Sequence, residues 1–246
     1  MAPFIVSPAS VDDVPDMVQV YNSAFEHNYF SSFTFPKEKV PQDIKNEWLA
    51  EKYTAALRTP GMETFVCRDN ISGEVAGFAR WGYPVVLTDA QKEEKRTRDA
   101  EAKQKRKKGI APYPLGSNVE CCDAKFLGLE KFRDKHVDYE DMYGMKPRPL
   151  SLNTIRTDEH PVVYFLGVHQ KYQGKGVGTL LLKNGLNLAD AQGRKTYIEA
   201  TDAGRRLYLK LGWEEIDVLR IDIQRWGGSK PGTNYIMMRD PQTLGA

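Results

Sequence analysis

A glycine-rich segment at residues 173–178, Gln-Gly-Lys-Gly-Val-Gly, is the part of the chain best suited to chemistry. It follows a continuous apolar run, Val162–Val168, that has the length and the β-branched content of a buried strand. Apolar residues then recur at roughly helical spacing between Val177 and Ala189. A strand, a glycine turn and a helix in this order point the unpaired N–H groups of the first helical turn at an anion. The pattern alone fits a phosphate site and a purely steric turn equally well.

The spacing of these glycines excludes two common phosphate-binding loops. A P-loop requires Lys-Ser/Thr directly after its last glycine, whereas Gly178 is followed by Thr179 and Leu180. A dinucleotide-binding fold requires Gly-x-Gly-x-x-Gly early in a βαβ unit. The form Gln-x-x-Gly-x-Gly, with Gln173, Gly176 and Gly178 in the defining positions, instead resembles the acetyl-CoA pyrophosphate loop of the GNAT acetyltransferase superfamily.

A second motif strengthens this resemblance. Residues 207–213, Leu-Tyr-Leu-Lys-Leu-Gly-Trp, resemble the GNAT stretch Leu-Tyr-x-Lys-x-Gly-Phe that follows the fifth strand, with Trp213 in place of phenylalanine. The resemblance extends over about residues 4–86 and 156–240. It implies an α/β (α+β layered) GNAT fold, a mixed central sheet flanked by helices, in a single domain spanning 1–246. It also implies acetyl-CoA as the donor substrate, without a metal.

The resemblance indicates which residues bind the donor. Backbone groups of Leu166, Gly167 and Val168 are expected to hydrogen-bond the pantetheine and the thioester. The N–H groups expected to hold the pyrophosphate belong to Gln173, Gly174, Lys175, Gly176, Val177, Gly178 and Thr179. In this interpretation Lys175 need not be a specific ligand and adds only surface charge.

Tyr208 takes the position of the family's general acid and belongs to the expected cofactor site. An unperturbed tyrosine titrates near ~10, so it is protonated at neutral pH and can donate a proton to a leaving thiolate. A tyrosine that merely packs its short helix is the alternative. The motif favours the catalytic role.

The general base is left open. Some family members carry a glutamate early in the fourth strand, where this chain has two valines at 162–163. Glu199, near the end of the fifth strand, could act through water, and His160 could titrate near neutrality. Asp158 and Glu159 are further candidates, and each of the four also fits a solvated residue at a strand end. A neutral amine needs no strong base.

Hydrophobic periodicity predicts the elements that position these residues. The predicted strands are 4–7, 64–67, 74–81, 162–168, 195–200, 213–223 and 234–239, and the predicted helices run from about 10 to 25, from 42 to 57, from 177 onward and from 203 to 211. The opening order β-α-α-β-β is that of the GNAT fold. It agrees with the loop assignment from a separate part of the chain.

Residues 87–155 form a large insertion between the third and fourth strands. Its first part, 90–109, has almost no apolar residue, which predicts a solvated helix or a disordered arm, or else a basic surface for an acidic partner. Its second part, 116–149, is rich in aromatic residues and methionines. We expect some of this part to fold onto the core as a helix and to act as a lid or specificity element. An aromatic segment at 27–35 is predicted to be a loop that packs under the domain or lines the acceptor pocket.

Composition narrows the classes of function. The chain has 246 residues and a net charge of only +2, which gives no strong case for nucleic-acid binding. It has no apolar stretch of the ~20 residues that a membrane span needs. Cys67, Cys121 and Cys122 are odd in number and predict reduced thiols in a cytoplasmic protein, with a nucleophilic cysteine as a minor alternative. The basic cluster 103–108 is a weak indication of nuclear targeting.

These observations predict an N-acetyltransferase that moves the acetyl group of acetyl-CoA to the amine of a small molecule, such as an amino acid, a polyamine or a xenobiotic. The reaction is expected to be direct attack in a ternary complex. The expected partner is the small-molecule amine, with no membrane or nucleic acid, and the protein is a monomer or a homodimer. A protein lysine or N-terminal acetyltransferase, a non-catalytic acyl-CoA-binding adaptor and an O-acetyltransferase stay open as alternatives.

Overall fold

The computed structural model describes residues 3–137 and 160–242 and has one seven-stranded sheet at its centre. The strands are β1 (Phe4–Pro8), β2 (Met62–Asp69), β3 (Val75–Gly82), β4 (Val162–Val168), β5 (Thr196–Ala200), β6 (Glu214–Ile221) and β7 (Gly232–Arg239). Their order across the sheet is β1-β2-β3-β4-β5-β7-β6. Neighbouring strands are antiparallel except β4 and β5, which run parallel.

Helices cover both faces of this sheet. In the described ranges the α-helices are α1 (Val14–Phe25), α2 (Tyr29–Thr34), α3 (Gln42–Leu57), α4 (Asp89–Lys107), α5 (Val119–His136), α6 (Val177–Ala191) and α7 (Asp202–Lys210). The crossover between the parallel strands β4 and β5 is α6, as parallel pairing requires. A mixed sheet flanked by helices confirms the predicted fold. No helix in the described ranges is long and apolar enough to cross a membrane.

The sheet is buried from both sides at β3 and β4. Trp81 on β3 is fully buried beneath α6, where a Cβ on Gly185 would lie 2.3 Å from Cε2 of Trp81. The helix therefore approaches the strand this closely because residue 185 is a glycine. On the opposite face Phe78 stacks on Phe165, with 4.3 Å between the ring centroids. Cover on both faces explains why Val162–Val168 is a continuous apolar run.

The charged part of the insertion is the helix α4. A reciprocal capping box starts it: the Gln91 N–H donates to the Thr88 hydroxyl at 3.3 Å, and the Thr88 N–H donates to the Gln91 side chain at 2.9 Å. None of its residues is buried. Of the two predicted states, the solvated helix is the one that the structure has.

The apolar part of the insertion begins with α5, which packs against α2 and β6. Its buried residues are Cys121, Cys122, Lys125 and Leu129. Residues from 138 to 159, which hold the rest of this part, lie outside the described residues.

The aromatic segment at 27–35 is largely the helix α2, so the prediction of a loop was wrong. Asn28 caps the helix, because its side-chain oxygen accepts the Ser31 N–H at 2.8 Å. Phe30 is buried against Cys121 of α5. The Tyr29 hydroxyl reaches outward and donates to the Lys230 carbonyl at 3.0 Å. The local cap, rather than hydrophobic periodicity, starts this short helix.

Candidate active site

β4 and β5 diverge after two paired positions. Their parallel register holds Val162 opposite Tyr197 and Val163 opposite Ile198, and it ends there. The register of β4 with β3 shifts at the same level, and such a bulge bends the strand that carries it. The divergence opens a gap near the centre of the sheet. A ligand can enter this gap without breaking any hydrogen bond between strands.

The loop that follows β4 depends on two glycines in the left-handed region. Gly174 has φ 74° and Gly176 has φ 87°, values that other residues rarely adopt. A Cβ at either position would meet no atom within 4 Å. Backbone conformation therefore requires glycine at both positions, and the space before them is open to a ligand. The Gln173 side chain donates to the Val168 carbonyl at 3.1 Å and ties the loop to the end of β4.

The N-terminus of α6 offers a row of backbone donors. Within the described part of the chain, five N–H groups of the loop and first turn have no hydrogen-bond acceptor: those of Gly174, Gly176, Val177, Gly178 and Thr179. Two of the seven predicted donors are already bonded: the Gln173 N–H donates to the Gln170 carbonyl at 3.2 Å, and the Lys175 N–H donates to the Tyr172 carbonyl at 3.4 Å. Unpaired donors at the positive end of a helix dipole form a site for a phosphate-like anion.

A cavity of about 460 Å³, which we call the loop cavity, extends from this loop toward the gap. Its lining brings together ten of the predicted donor-site residues: Leu166, Gly167, Val168, Gln173, Gly174, Gly176, Val177, Gly178, Thr179 and Tyr208. Lys175 does not line it. Asn28, Thr201 and Ala203 are also part of the lining.

Gly178 and Lys175 differ from the rest of the loop. A Cβ on Gly178 would lie 3.0 Å from Cδ2 of Leu207, so the missing side chain lets α6 pack closely against α7. The Lys175 ammonium lies 5.4 Å from the ring centroid of Tyr172. Its position outside the cavity lining fits a residue that contributes charge rather than a specific contact.

Tyr208, on α7, is 6% exposed and lines the loop cavity. Its ring lies over Gly204 one turn earlier, where a Cβ would come within 2.8 Å of Cε2. The hydroxyl has no hydrogen-bond partner among the described residues. Burial raises the pKa of Tyr208 well above its ordinary value. The hydroxyl is therefore protonated at neutral pH, as it would be with the ordinary pKa.

Glu199, on β5, faces the opposite side of the sheet from Tyr208. Ile198 and Ala200 belong to the same core cluster as Tyr208, and side chains alternate along a strand. Glu199 therefore points toward α5. There its carboxylate lies 3.3 Å from Nε of Arg133.

The carboxylate of Glu199 titrates close to neutrality. Burial raises the pKa of Glu199 to about 7, although Arg133 and a hydrogen bond from Tyr197 act in the opposite direction. A group with this pKa can accept a proton at physiological pH. Tyr208 lines the loop cavity, whereas Glu199 lies on the other face of β5 and is not part of that lining.

His160 lies two residues before β4, whereas the residues of β4 that line the loop cavity begin at Leu166. At ~3.3 Å per residue in an extended strand, the separation is roughly 20 Å. The structure therefore does not bring His160 to the loop cavity. Asp158 and Glu159 lie outside the described residues.

Two cations of α5 were not predicted as site residues. Arg133 contacts Glu199, and Lys125 is only 8% exposed, with its ammonium 4.5 Å from the ring centroid of Phe30. Helical periodicity does not show which charged residues of an insertion turn inward. The one available signal was that Lys125 is the single charged residue of the apolar segment 124–129, Ala-Lys-Phe-Leu-Gly-Leu.

The three cysteines are free and buried. Burial raises the pKa of Cys67 and of Cys121 to about 11 and that of Cys122 to about 12. They are therefore protonated at neutral pH, and a thiol in that state is a poor nucleophile.

Part of the sequence matches a known protein family. Residues 130–222 match the family described as Acetyltransferase (GNAT) domain. The matched stretch begins in α5, inside the predicted insertion, and ends directly after β6. It therefore includes β4, the glycine loop, α6, β5 and α7. No curated protein matches the sequence.

Solved structures share the architecture at low sequence identity. A Corynebacterium glutamicum structure described as histone acetyltransferase HPA2 and related acetyltransferase is 18% identical, covers 99% of each chain and has a TM-score of 0.56. The ribosomal-protein-S18-alanine N-acetyltransferase of Escherichia coli is 15% identical, covers 98% of this chain and 96% of its own, and has a TM-score of 0.50. An N-acetyltransferase from Staphylococcus aureus Mu50 is 13% identical, covers 97% of this chain and 99% of its own, and also has a TM-score of 0.50.

At these identities the structural neighbours establish the fold. The family match covers the segment that contains the diverging strands, the glycine loop and Tyr208. Residues 130–222 are therefore similar to a GNAT acetyltransferase domain, and solved acetyltransferase structures share the fold of the chain.

Proposed function

We propose that this enzyme transfers the acetyl group of acetyl-CoA to the amine of a small molecule, by direct attack in a ternary complex. The divergence of β4 from β5 is the observation that carries the proposal. It leaves one opening in the sheet, with unpaired backbone donors at one end and Tyr208 beside it.

The loop cavity suits the two recognition elements of CoA. The five unpaired N–H groups at the start of α6 match the negative charge of a pyrophosphate. Beyond Val163, the edge of β4 that faces β5 is unpaired. A pantetheine arm carries amide groups that can hydrogen-bond such an edge, as an added strand does.

In the proposed reaction the donor and the acceptor reach the gap from opposite faces of the sheet. The amine nitrogen attacks the thioester carbonyl carbon, and a C–N bond forms. The tetrahedral intermediate then collapses with cleavage of the C–S bond, and the departing sulfur takes the proton of the Tyr208 hydroxyl. Tyr208 regains a proton from water before the next turnover. The nitrogen loses its proton to water, or to Glu199 through water. The donor approaches from the side of Tyr208 and the acceptor from the side of α5.

The cover over the acceptor side supports a small acceptor. The helix α5 packs against α2 and β6 and brings Arg133 against Glu199. A peptide chain needs an open groove, whereas α5 lies across the face that such a groove would use.

Release of the CoA thiol tests this proposal. The enzyme is incubated with acetyl-CoA and two panels, one of small primary amines and one of peptides with free N-terminal or lysine amines. We expect thiol release driven by small amines, with the acetyl group recovered on nitrogen by mass spectrometry. Release with peptides alone would indicate a protein acetyltransferase, and CoA binding without any release would indicate a non-catalytic adaptor. Either result contradicts the proposal.

A further inference from the structure

We propose that the acceptor is an amine that carries an acid group, and that Lys125 binds this acid group. The inference rests on the proposed function and narrows its substrate class. It starts from a second cavity, of about 160 Å³, which we call the Lys125 cavity. Its lining includes Lys125, Phe30, Asn234 and the exposed Asp202.

The Lys125 cavity adjoins the loop cavity. Asn28, Thr201 and Ala203 line both of them. A small molecule in the Lys125 cavity is therefore a direct neighbour of whatever occupies the loop cavity. This is the relation that an acceptor must have to the thioester of a bound donor.

Lys125 is a buried cation that forms no ion pair in the described part of the chain, and Glu199 acts on it only from beyond ion-pair distance. Its ammonium lies over the rings of Phe30 and Phe126, at 4.5 and 5.5 Å from their centroids, and no carboxylate lies within ion-pair distance. Burial lowers the pKa of Lys125 to about 8, so the group still carries its charge at neutral pH. A desolvated cation is costly unless it is paired, so an anion in the cavity has a ready partner.

Asn234 offers the complementary group. It is 3% exposed and lines the same cavity. Its amide nitrogen donates to the Ala200 carbonyl at 3.4 Å, while Oδ1 has no partner among the described residues. An unpaired cation and an unpaired acceptor oxygen in one small cavity match a molecule that has both an acid group and an amine.

The other charges near the site fit this assignment. Asp202 lines the cavity, but its side chain is 59% exposed and lies 3.9 Å from the Lys230 ammonium, so its charge is at the solvent side. Glu199 is already paired with Arg133. Neither carboxylate neutralises Lys125 at ion-pair distance.

Matched acceptors test the inference in the wild-type enzyme. Each set contains an amino acid, its carboxamide and its decarboxylated amine, and one aminoalkyl phosphonate separates carboxylate from phosphonate recognition. A hydrogen bond to a charged group is strong enough to favour the acid member by about 10- to 100-fold in kcat/KM. Wild-type enzyme that acetylates the neutral members as efficiently as the acids would overturn the inference and leave the proposed function intact. The absence of turnover with every amine would overturn both.

Lys125→Met identifies the residue responsible. We expect it to lower kcat/KM for the acids by the same factor, mainly through KM, and to leave the neutral amines and the affinity for CoA unchanged. Lys131→Met is the matched control, because Lys131 is an exposed lysine on the same helix. An equal loss for acidic and neutral acceptors would show a structural role for Lys125 and would contradict its assignment to the acid group.

Discussion

The two sides of the β4–β5 gap are built from different materials. On the side of α6 the site consists mainly of backbone N–H groups, held by glycines at 174 and 176. On the side of α5 it consists of charged side chains, namely Glu199, Arg133 and Lys125. Backbone N–H groups can recognise a donor that is the same in every reaction. Selectivity among acceptors requires side chains, because their charge and length differ from one position to another.

The largest effect is expected from a substitution in the glycine loop, on the side of α6. Gly176→Asp directs a side chain and a negative charge into the open space before the loop, where the pyrophosphate is proposed to lie. We expect the affinity for CoA, measured by calorimetry, to fall by ~10²-fold or more, since several charge-assisted hydrogen bonds are lost together.

Gly193→Asp is the control for this change. Gly193 also has a positive φ, 62°, and open space before its Cβ, but it follows α6 and does not line the loop cavity. Both variants should lose similar stability from backbone strain. Retained CoA binding in Gly176→Asp would show that the loop is merely structural.

Tyr208→Phe separates chemistry from binding on the same side of the gap. The variant removes one hydroxyl and keeps the packed ring, so kcat should fall by ~10²-fold, the low end for a general acid, with little change in CoA affinity. Tyr113→Phe is the control, because the Tyr113 hydroxyl donates to Asp123 at 2.8 Å, outside the loop cavity. Turnover that is unchanged across the pH range would remove Tyr208 from the mechanism.

Glu199→Gln tests the side of the gap that faces α5, and the measurement is the pH dependence of the rate. If Glu199 accepts the proton of the amine, the rate of the wild-type enzyme rises with pH through about 7, and this limb is lost in the variant. We expect turnover at neutral pH to fall by about tenfold, less than for many general bases, because a neutral amine needs little assistance. An unaltered pH–rate profile would exclude Glu199 as the base.

The same substitution has a pH-dependent effect on stability. The pKa of Glu199 is near 7 in the folded protein, compared with ~4.3 in an unfolded chain. Between these two pH values Glu199 is protonated in the folded state and ionised in the unfolded state. The wild-type protein therefore loses stability as the pH rises through this range. The Tm of Glu199→Gln relative to wild type should therefore increase from about pH 5 to about pH 8. Glu130→Gln, at an exposed position on α5, should show no such trend.

The smallest effect is expected in α4, the solvated part of the insertion. Thr88→Ala removes half of its capping box and should cost about 1 kcal/mol of helix stability. Faster hydrogen exchange of the α4 amides would measure that loss. Because no residue of α4 is buried, kcat/KM should not change. A large fall in activity would show that α4 takes part in the acceptor side.

The sequence predicted the backbone side far better than the side-chain side. The apolar run Val162–Val168, the glycine spacing and the Tyr208 motif are local patterns, and each maps onto one element. Glu199 was among the predicted residues, but its partner Arg133 comes from a distant helix and carried no local signal. Likewise, the cap at Asn28 started a helix where aromatic content suggested a loop. Contacts between elements, unlike the elements themselves, depend on packing that periodicity does not encode.

A crystal structure with bound acetyl-CoA tests the central claim most directly. We predict that the pyrophosphate lies against the N–H groups of residues 174 and 176–179. We also predict that the pantetheine follows β4 into the gap and that the thioester sulfur lies within hydrogen-bond reach of the Tyr208 hydroxyl. A donor bound outside the gap, or a thioester well beyond ~3.5 Å from that hydroxyl, would contradict the account.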